Sequence, residues 1–275
     1  MTSAGRRRSL VFPREHGAWG ILLVPLFTGA SVGLMAGGSA WSLVPLGIAA
    51  LGLFWLRTPV ESWIGAAPVR ARTPSELQLV HQTVFVLAVV SASALIWLFW
   101  GWRSRGLLWI GVAAGSAFIV QAIVKRTWRS ARTAAQMIGA AGLTSTAPAA
   151  YSAVTEHLGG VAWSLWACNV LFAINQIQFV QLRIRAAHTT KRSEKLSIGR
   201  GFLAGQVILM VLLGTACAGH LLRGYSAIAF LPVLFRGFAW FATESKPLAI
   251  QALGKSELVY AGTFGMLLVF GMQLP

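Results

Sequence analysis

Nine apolar stretches, each long enough to cross a bilayer as a helix, leave this chain few ways to fold. They run over Gly17–Gly37, Ala40–Leu56, Leu79–Trp100, Gly106–Val124, Ala135–Ala153, Gly160–Leu182, Phe202–Leu222, Tyr225–Phe241 and Leu258–Leu274. A helix needs roughly 20 apolar residues to span the hydrocarbon core. Isolated strands are no alternative, because an open sheet edge cannot be satisfied in lipid. The expectation is an all-α polytopic membrane protein: a basic cytoplasmic tail over residues 1–16, then one nine-helix transmembrane domain over residues 17–275.

The charges test that count. With the N-terminus inside, 20 of the 23 lysines and arginines fall in the tail or after the second, fourth, sixth and eighth helices. Only Arg103, Arg105 and Arg223 fall on the other side. Adding or removing one helix would scramble this split, which follows the positive-inside rule. The sequence therefore predicts an N-terminus in the cytoplasm, in what reads as a bacterial cytoplasmic membrane. The chain is 56% hydrophobic and 11% charged, with mean hydropathy +0.67, against about 25% charged residues in soluble domains. A net charge of +16 on a soluble chain would suggest nucleic acid. Here the cations sit in short clusters between apolar runs, so topology and anionic lipid account for them and nucleic acid does not.

Arg6, Arg7 and Arg8 superficially match a twin-arginine signal, but the long apolar run and eight more behind it favour a cytoplasmic anchor. Trp41, Trp97, Trp100, Trp102 and Trp163 near outer ends, with Trp19, Trp55, Trp63 and Trp128 near inner ends, form an aromatic belt. Gly111-x-x-x-Gly115 and Gly201-x-x-x-Gly205 would permit close helix contact. Cys168 and Cys217 read as small membrane residues.

Polar side chains in a membrane are costly unless they pair or line a cavity. The sixth span carries Asn175, Gln178, Gln181 and Arg185 within about 120° of one another, followed by Arg183 in the same inner turn. Other helices place Arg14 and His16, Arg57 and Glu61, His81, Lys125, Gln136, Gln206, Arg236 and Glu257 at similar depth. Thr144-Ser145-Thr146-Ala147-Pro148 predicts a mid-span kink, and Pro25 and Pro232 suggest others. We expect a cytoplasm-facing cavity with Arg14, His16, Arg57, Glu61, His81, Lys125, Asn175, Gln178, Gln181, Arg183, Arg185 and Glu257 as candidate ligand-binding residues. Guanidinium forks suit an anionic group. Magnesium prefers carboxylate oxygens, and the chain contains no aspartate. No metal or cofactor is expected, and no catalytic residue is assigned.

Pro13-Arg14-Glu15-His16-Gly17-Ala18-Trp19, with Pro25 beyond, resembles the opening signature of the YwiC-like family. Phe179–Arg185 and Leu253–Leu258 fit it more loosely. The chain departs from that family between helices 4 and 5, where Arg126–Arg132 is basic and other members are often acidic. The layout also resembles the wider UbiA prenyltransferase superfamily, whose aspartate motifs follow helices 2 and 6. The matching stretches here read Arg57-Thr58-Pro59-Val60-Glu61 and Asn175–Arg185. That likeness implies a membrane lipid or isoprenoid-type ligand, without the magnesium chemistry. The leading expectation is a protein that binds a lipid or prenyl-type molecule by an anionic or polar head, as a non-canonical prenyltransferase-like protein. The alternative is a non-enzymatic transporter or an assembly partner for other membrane proteins. A metal hydrolase built on Glu15, His16, Glu61 and His81 lacks a recognisable ligand spacing.

Overall fold

In the computed structural model, residues 3–13, 16–64, 69–102, 105–128, 131–187, 192–243 and 249–274 are described. They form twelve α-helices, and no strand occurs among them. In chain order these are α1 (Ser3–Val11), α2 (His16–Met35), α3 (Leu43–Ile64), α4 (Pro74–Trp102), α5 (Arg105–Thr127) and α6 (Arg132–Leu143). Then follow α7 (Thr146–Thr155), α8 (Gly160–Arg185), α9 (Arg192–Ala218), α10 (Gly224–Ala227), α11 (Leu231–Ala242) and α12 (Ile250–Gln273). Helices satisfy their own backbone, which is what a chain this apolar requires in lipid.

Seven helical stretches among the described residues are long and apolar enough to cross a membrane: Gly17–Met35, Ala40–Ile64, Pro74–Gly101, Gly106–Thr127, Gly160–Arg185, Ser193–Ala218 and Gly224–Ala242. The other two expected spans differ for physical reasons. The fifth is broken into α6 and α7, of 12 and 10 residues, at the Thr144–Ser145 step where the sequence predicts a kink. Pro148 falls within the first turn of α7, where a missing N–H costs least. The ninth, α12, starts eight residues earlier than expected and carries Gln251, Lys255, Ser256 and Glu257 in its first two turns. The eighth is interrupted as well, with Pro232 at the start of α11.

The tightest packing is between α2 and α7. A Cβ on Gly29 would overlap the carbonyl of Ala147, and one on Gly33 would sit 3.0 Å from the Val154 Cβ. Pro25 deprives its helix of one donor, and the Leu22 carbonyl in the preceding turn accepts the Thr146 hydroxyl at 3.1 Å. Beside this contact, Asn169 of α8 donates to Thr28 Oγ1 at 3.1 Å and to the Leu165 carbonyl at 2.9 Å. Phe264 stacks on Phe172 and meets Phe230 edge-on in the largest apolar core, which joins α8, α12 and the segment before α11. Gly271 of α12 is equally committed, because a Cβ there would lie 2.5 Å from the Tyr225 carbonyl of α10.

The expected glycine pairs are used differently. Gly111, Gly115 and Gly201 have open space where a Cβ would go, and only Gly205 packs, against Gln178. The close approach belongs instead to Gly29 and Gly33. Both α4 and α5 turn broad apolar faces outward, including Phe85, Ile96, Trp100, Trp109 and Ile119.

Residues 3–11 of the predicted tail are a docked helix. Leu10 is fully buried, its carbonyl accepts the Ser62 hydroxyl at 3.2 Å, and Val11 accepts the Trp55 indole at 2.7 Å. Arg6 pairs with Glu76 at 2.8 Å and donates to the Arg70 carbonyl at 2.7 Å. Glu76 in turn accepts the Arg72 backbone N–H at 2.8 Å. Thr73 caps α4 through the Glu76 N–H, the arrangement expected of Thr-Pro-Ser-Glu at a helix start.

Candidate functional site

The candidate residues gather at one end of the bundle, the end where α1 lies, where α3, α5, α8 and α11 finish and α4, α6, α9 and α12 begin. Some of those described form two clusters there.

The first cluster joins α3 and α5. Arg57 Nε donates to Glu61 at 3.0 Å, one turn along α3, and Lys125 Nζ lies 3.7 Å from the other carboxylate oxygen. Glu61 is half-buried and shared between two cations, a grouping that stabilises the carboxylate but leaves it little capacity for a metal. Nearby, His81 is exposed and packs edge-on against Trp63, with ring centroids 5.2 Å apart.

The second cluster is the more deeply buried. Arg236 of α11 donates from Nη1 to both carboxylate oxygens of Glu257 at 2.5 Å. The two side chains are only 7% and 6% exposed. Its Nη2 donates to Asn175 Oδ1 at 3.4 Å. The guanidinium lies over two rings, 4.1 Å from the Phe179 centroid and 4.7 Å from that of Tyr260, within cation–π range of both. Gln176 fixes the acid's backbone by donating to the Glu257 carbonyl at 3.0 Å. A groove of about 210 Å³ opens beside this pair, lined among others by Phe179, Arg183, Phe235, Arg236, Trp240 and Tyr260. Behind the lining residues Trp240 and Thr243, Lys195 of α9 donates to their carbonyls at 3.3 and 2.6 Å. These are carbonyls at the end of α11, where a cation is favoured by the helix dipole.

The predicted polar stripe of α8 is divided among its neighbours. Asn175 faces Arg236, Gln178 approaches Gly205 of α9, and Gln181 donates to Gln136 of α6 at 3.2 Å. Arg183 lines the groove and Arg185 is exposed. Arg14 and the side chain of His16 lie outside the described residues. Arg236 and Gln176 are central here but were not among the site residues expected from sequence. The available signal for Arg236 was an ionisable residue in an apolar run, Phe235-Arg236-Gly237-Phe238, a feature that by default marks function in a membrane span. It reads instead as the basic end of a short span; α11 continues to Ala242 and leaves it well inside the helix.

The magnesium implied by a prenyltransferase layout does not fit these residues. Glu61 and Glu257 belong to separate clusters and each is held by an arginine. Among the described residues no three His, Cys or Glu side chains come together as a metal set. A deep amide stands apart from both clusters. Gln206 of α9 is fully buried against Gly237, and neither its nitrogen nor its oxygen has a protein partner among the described residues. At the opposite end, a larger hollow of about 450 Å³ is lined by Cys217, His220, Arg223 and Tyr225.

A search of curated proteins and a search of solved structures each return no match. A family model described as YwiC-like protein matches residues 12–151. The matched segment runs from the end of α1 into α7 and contains the Arg57–Glu61–Lys125 cluster, while the Arg236–Glu257 pair lies beyond it. The opening signature around His16 and the Gly29–Ala147 contact of α2 with α7 both fall within this region, and the chain belongs to the YwiC-like family.

Proposed function

We propose that this membrane protein crosses the bilayer nine times, with its N-terminus in the bacterial cytoplasm, and holds a lipid or prenyl-type molecule by an anionic or polar head at its cytoplasmic end. Counting α6 with α7 as one kinked crossing, and α12 as the last, gives nine. The distribution of lysine and arginine then supports the orientation. The observation that carries the ligand reading is the buried Arg236–Glu257 pair beside a groove that also contains Arg183. Buried charge in a membrane marks a pathway or a binding site more often than a packing device. Cationic side chains take the part that metal-bound carboxylates play in the UbiA-like layout, so transfer of a prenyl group is one activity of this class.

Native mass spectrometry of the purified protein with farnesyl and geranylgeranyl diphosphate, with magnesium or with EDTA, tests this reading. Adducts that survive EDTA support it. Absence of any lipid-anion adduct in all conditions rejects it.

The broken helices favour a second reading. Transporters build their sites from discontinuous helices, and this bundle has two interrupted segments, α6–α7 and α10–α11, as well as the unpartnered Gln206. Labelling of a Gln206→Cys variant from both sides of the membrane distinguishes them, since a transporter admits reagent from each side in turn.

A further inference from the structure

We propose that the groove between α8, α11 and α12 is a lateral site for the phosphate monoester head of a membrane lipid, with Arg183 as its mobile ligand and Arg236 as its fixed one. This rests on the lipid-binding reading above and names the head group and the entrance.

The entrance follows from the wall. Phe235 lines the groove yet is 76% exposed, so the groove opens through the side of the bundle, on the face that meets lipid. A molecule entering there keeps its chain in the bilayer and brings only its head between the helices. About 210 Å³ accommodates a compact head. Phe235 and Trp240 offer apolar surface to the first part of the chain.

The charge of the head follows from the donors. Arg236 spends Nη1 on Glu257 and Nη2 on Asn175, and the Phe179 and Tyr260 rings lie close to its guanidinium. Its Nε is buried without a protein partner among the described residues, although the side chain is over nine-tenths buried and lines the groove. A buried donor left empty is costly, and a phosphate oxygen would fill it. Arg183 lies one turn after Phe179 on α8, is half-buried, and makes no ion pair among the described residues, so its fork is available. Arg183 and Arg236 thus set two cations against one carboxylate, Glu257. That excess suits a doubly charged phosphate monoester. It repels the ammonium of a zwitterionic head, and it gives no purchase to an uncharged one.

The test uses delipidated full-length protein in detergent and native mass spectrometry, with dioleoyl phosphatidic acid, dioleoyl phosphatidylcholine, dioleoylglycerol and inorganic phosphate as separate probes. Phosphatidic acid should be retained at least about tenfold more tightly than the other two lipids, a difference of about 1.4 kcal/mol. Arg183→Gln should remove that preference, Arg183→Lys should restore part of it, and Arg126→Gln, at the exposed end of α5, should leave it intact. Size-exclusion profiles establish that each variant is folded. Equal loss in Arg126→Gln and Arg183→Gln would mean diffuse attraction to a basic surface and would overturn the site. Retention of inorganic phosphate as tight as that of phosphatidic acid would overturn the lipid as its source. If phosphatidic acid or a prenyl diphosphate is held regardless of Arg183, this site is wrong and the broader reading stands. If no lipid anion is held at all, both fail.

Discussion

Glu257→Gln keeps the shape of the side chain and removes its charge, leaving the Arg236 guanidinium buried without its counter-ion. Both side chains are less than a tenth exposed, so water cannot make good the loss. Removing one member of a buried ion pair costs about 3–5 kcal/mol. The Phe179 and Tyr260 rings remain over the cation and offset part of that, which places the expected cost near 3 kcal/mol. Arg236→Met strands the carboxylate instead and should cost about the same, with further loss from the rings it no longer meets. The double variant Arg236→Met/Glu257→Gln leaves no buried charge and should cost less than either single change. The coupling between the two sites then exceeds about 3 kcal/mol, large even for residues in direct contact. Reversible unfolding in mixed micelles, followed by tryptophan fluorescence as the SDS fraction rises, measures all four proteins on one scale. Effects that add to within about 0.5 kcal/mol would refute a coupled pair.

Gly29→Leu should destabilise by at least about 1–3 kcal/mol, because the Ala147 backbone opposite cannot move aside as a side chain can; Gly111→Leu, where nothing stands in the way, should change little by the same unfolding assay. Gln206→Leu should stabilise by about 1–3 kcal/mol, the cost of a buried amide without partners, and a destabilised variant would show that ordered water fills the site. Glu76→Gln removes the ion pair that ties α1 to α4, and limited trypsin digestion should then cut at Arg7 or Arg8 several-fold faster.

The helices were legible in the sequence because lipid allows an apolar run of this length few other structures. Both interruptions had local signals, Ser and Thr ahead of Pro148 and Pro232 at the head of α11. Contacts between helices were less legible, for a topological reason. A small-xxx-small spacing marks where two backbones can approach, and the order of the bundle decides whether a neighbour is present. Gly111 and Gly115 therefore face open space, while Gly29 and Gly33 meet α7. The same holds at the site. Polar residues on α8, α11 and α12 were visible one helix at a time, but the pairing of Arg236 with Glu257 depends on α11 lying against the first turns of α12. The angular stripe on α8 predicts a single polar face, yet a helix with neighbours on several sides distributes its amides among them. Residues 3–11 read as a basic tail because three arginines dominate their composition, and the helix they form is anchored by Leu10 and Arg6.

The union of α2 with α7 also sets a clock on the birth of the protein. Leu22 and its partner Thr146 are 124 residues apart, so at about 5–20 residues per second the ribosome needs roughly 6–25 s to deliver the second after the first. Through that interval the notched face of α2, cut by Gly29 and Gly33, has no backbone to close against. A newly inserted α2 must wait in the bilayer or beside the insertion machinery while four further helices are made, and a nascent chain halted before Ala147 would leave the membrane with its most closely fitted joint unmade.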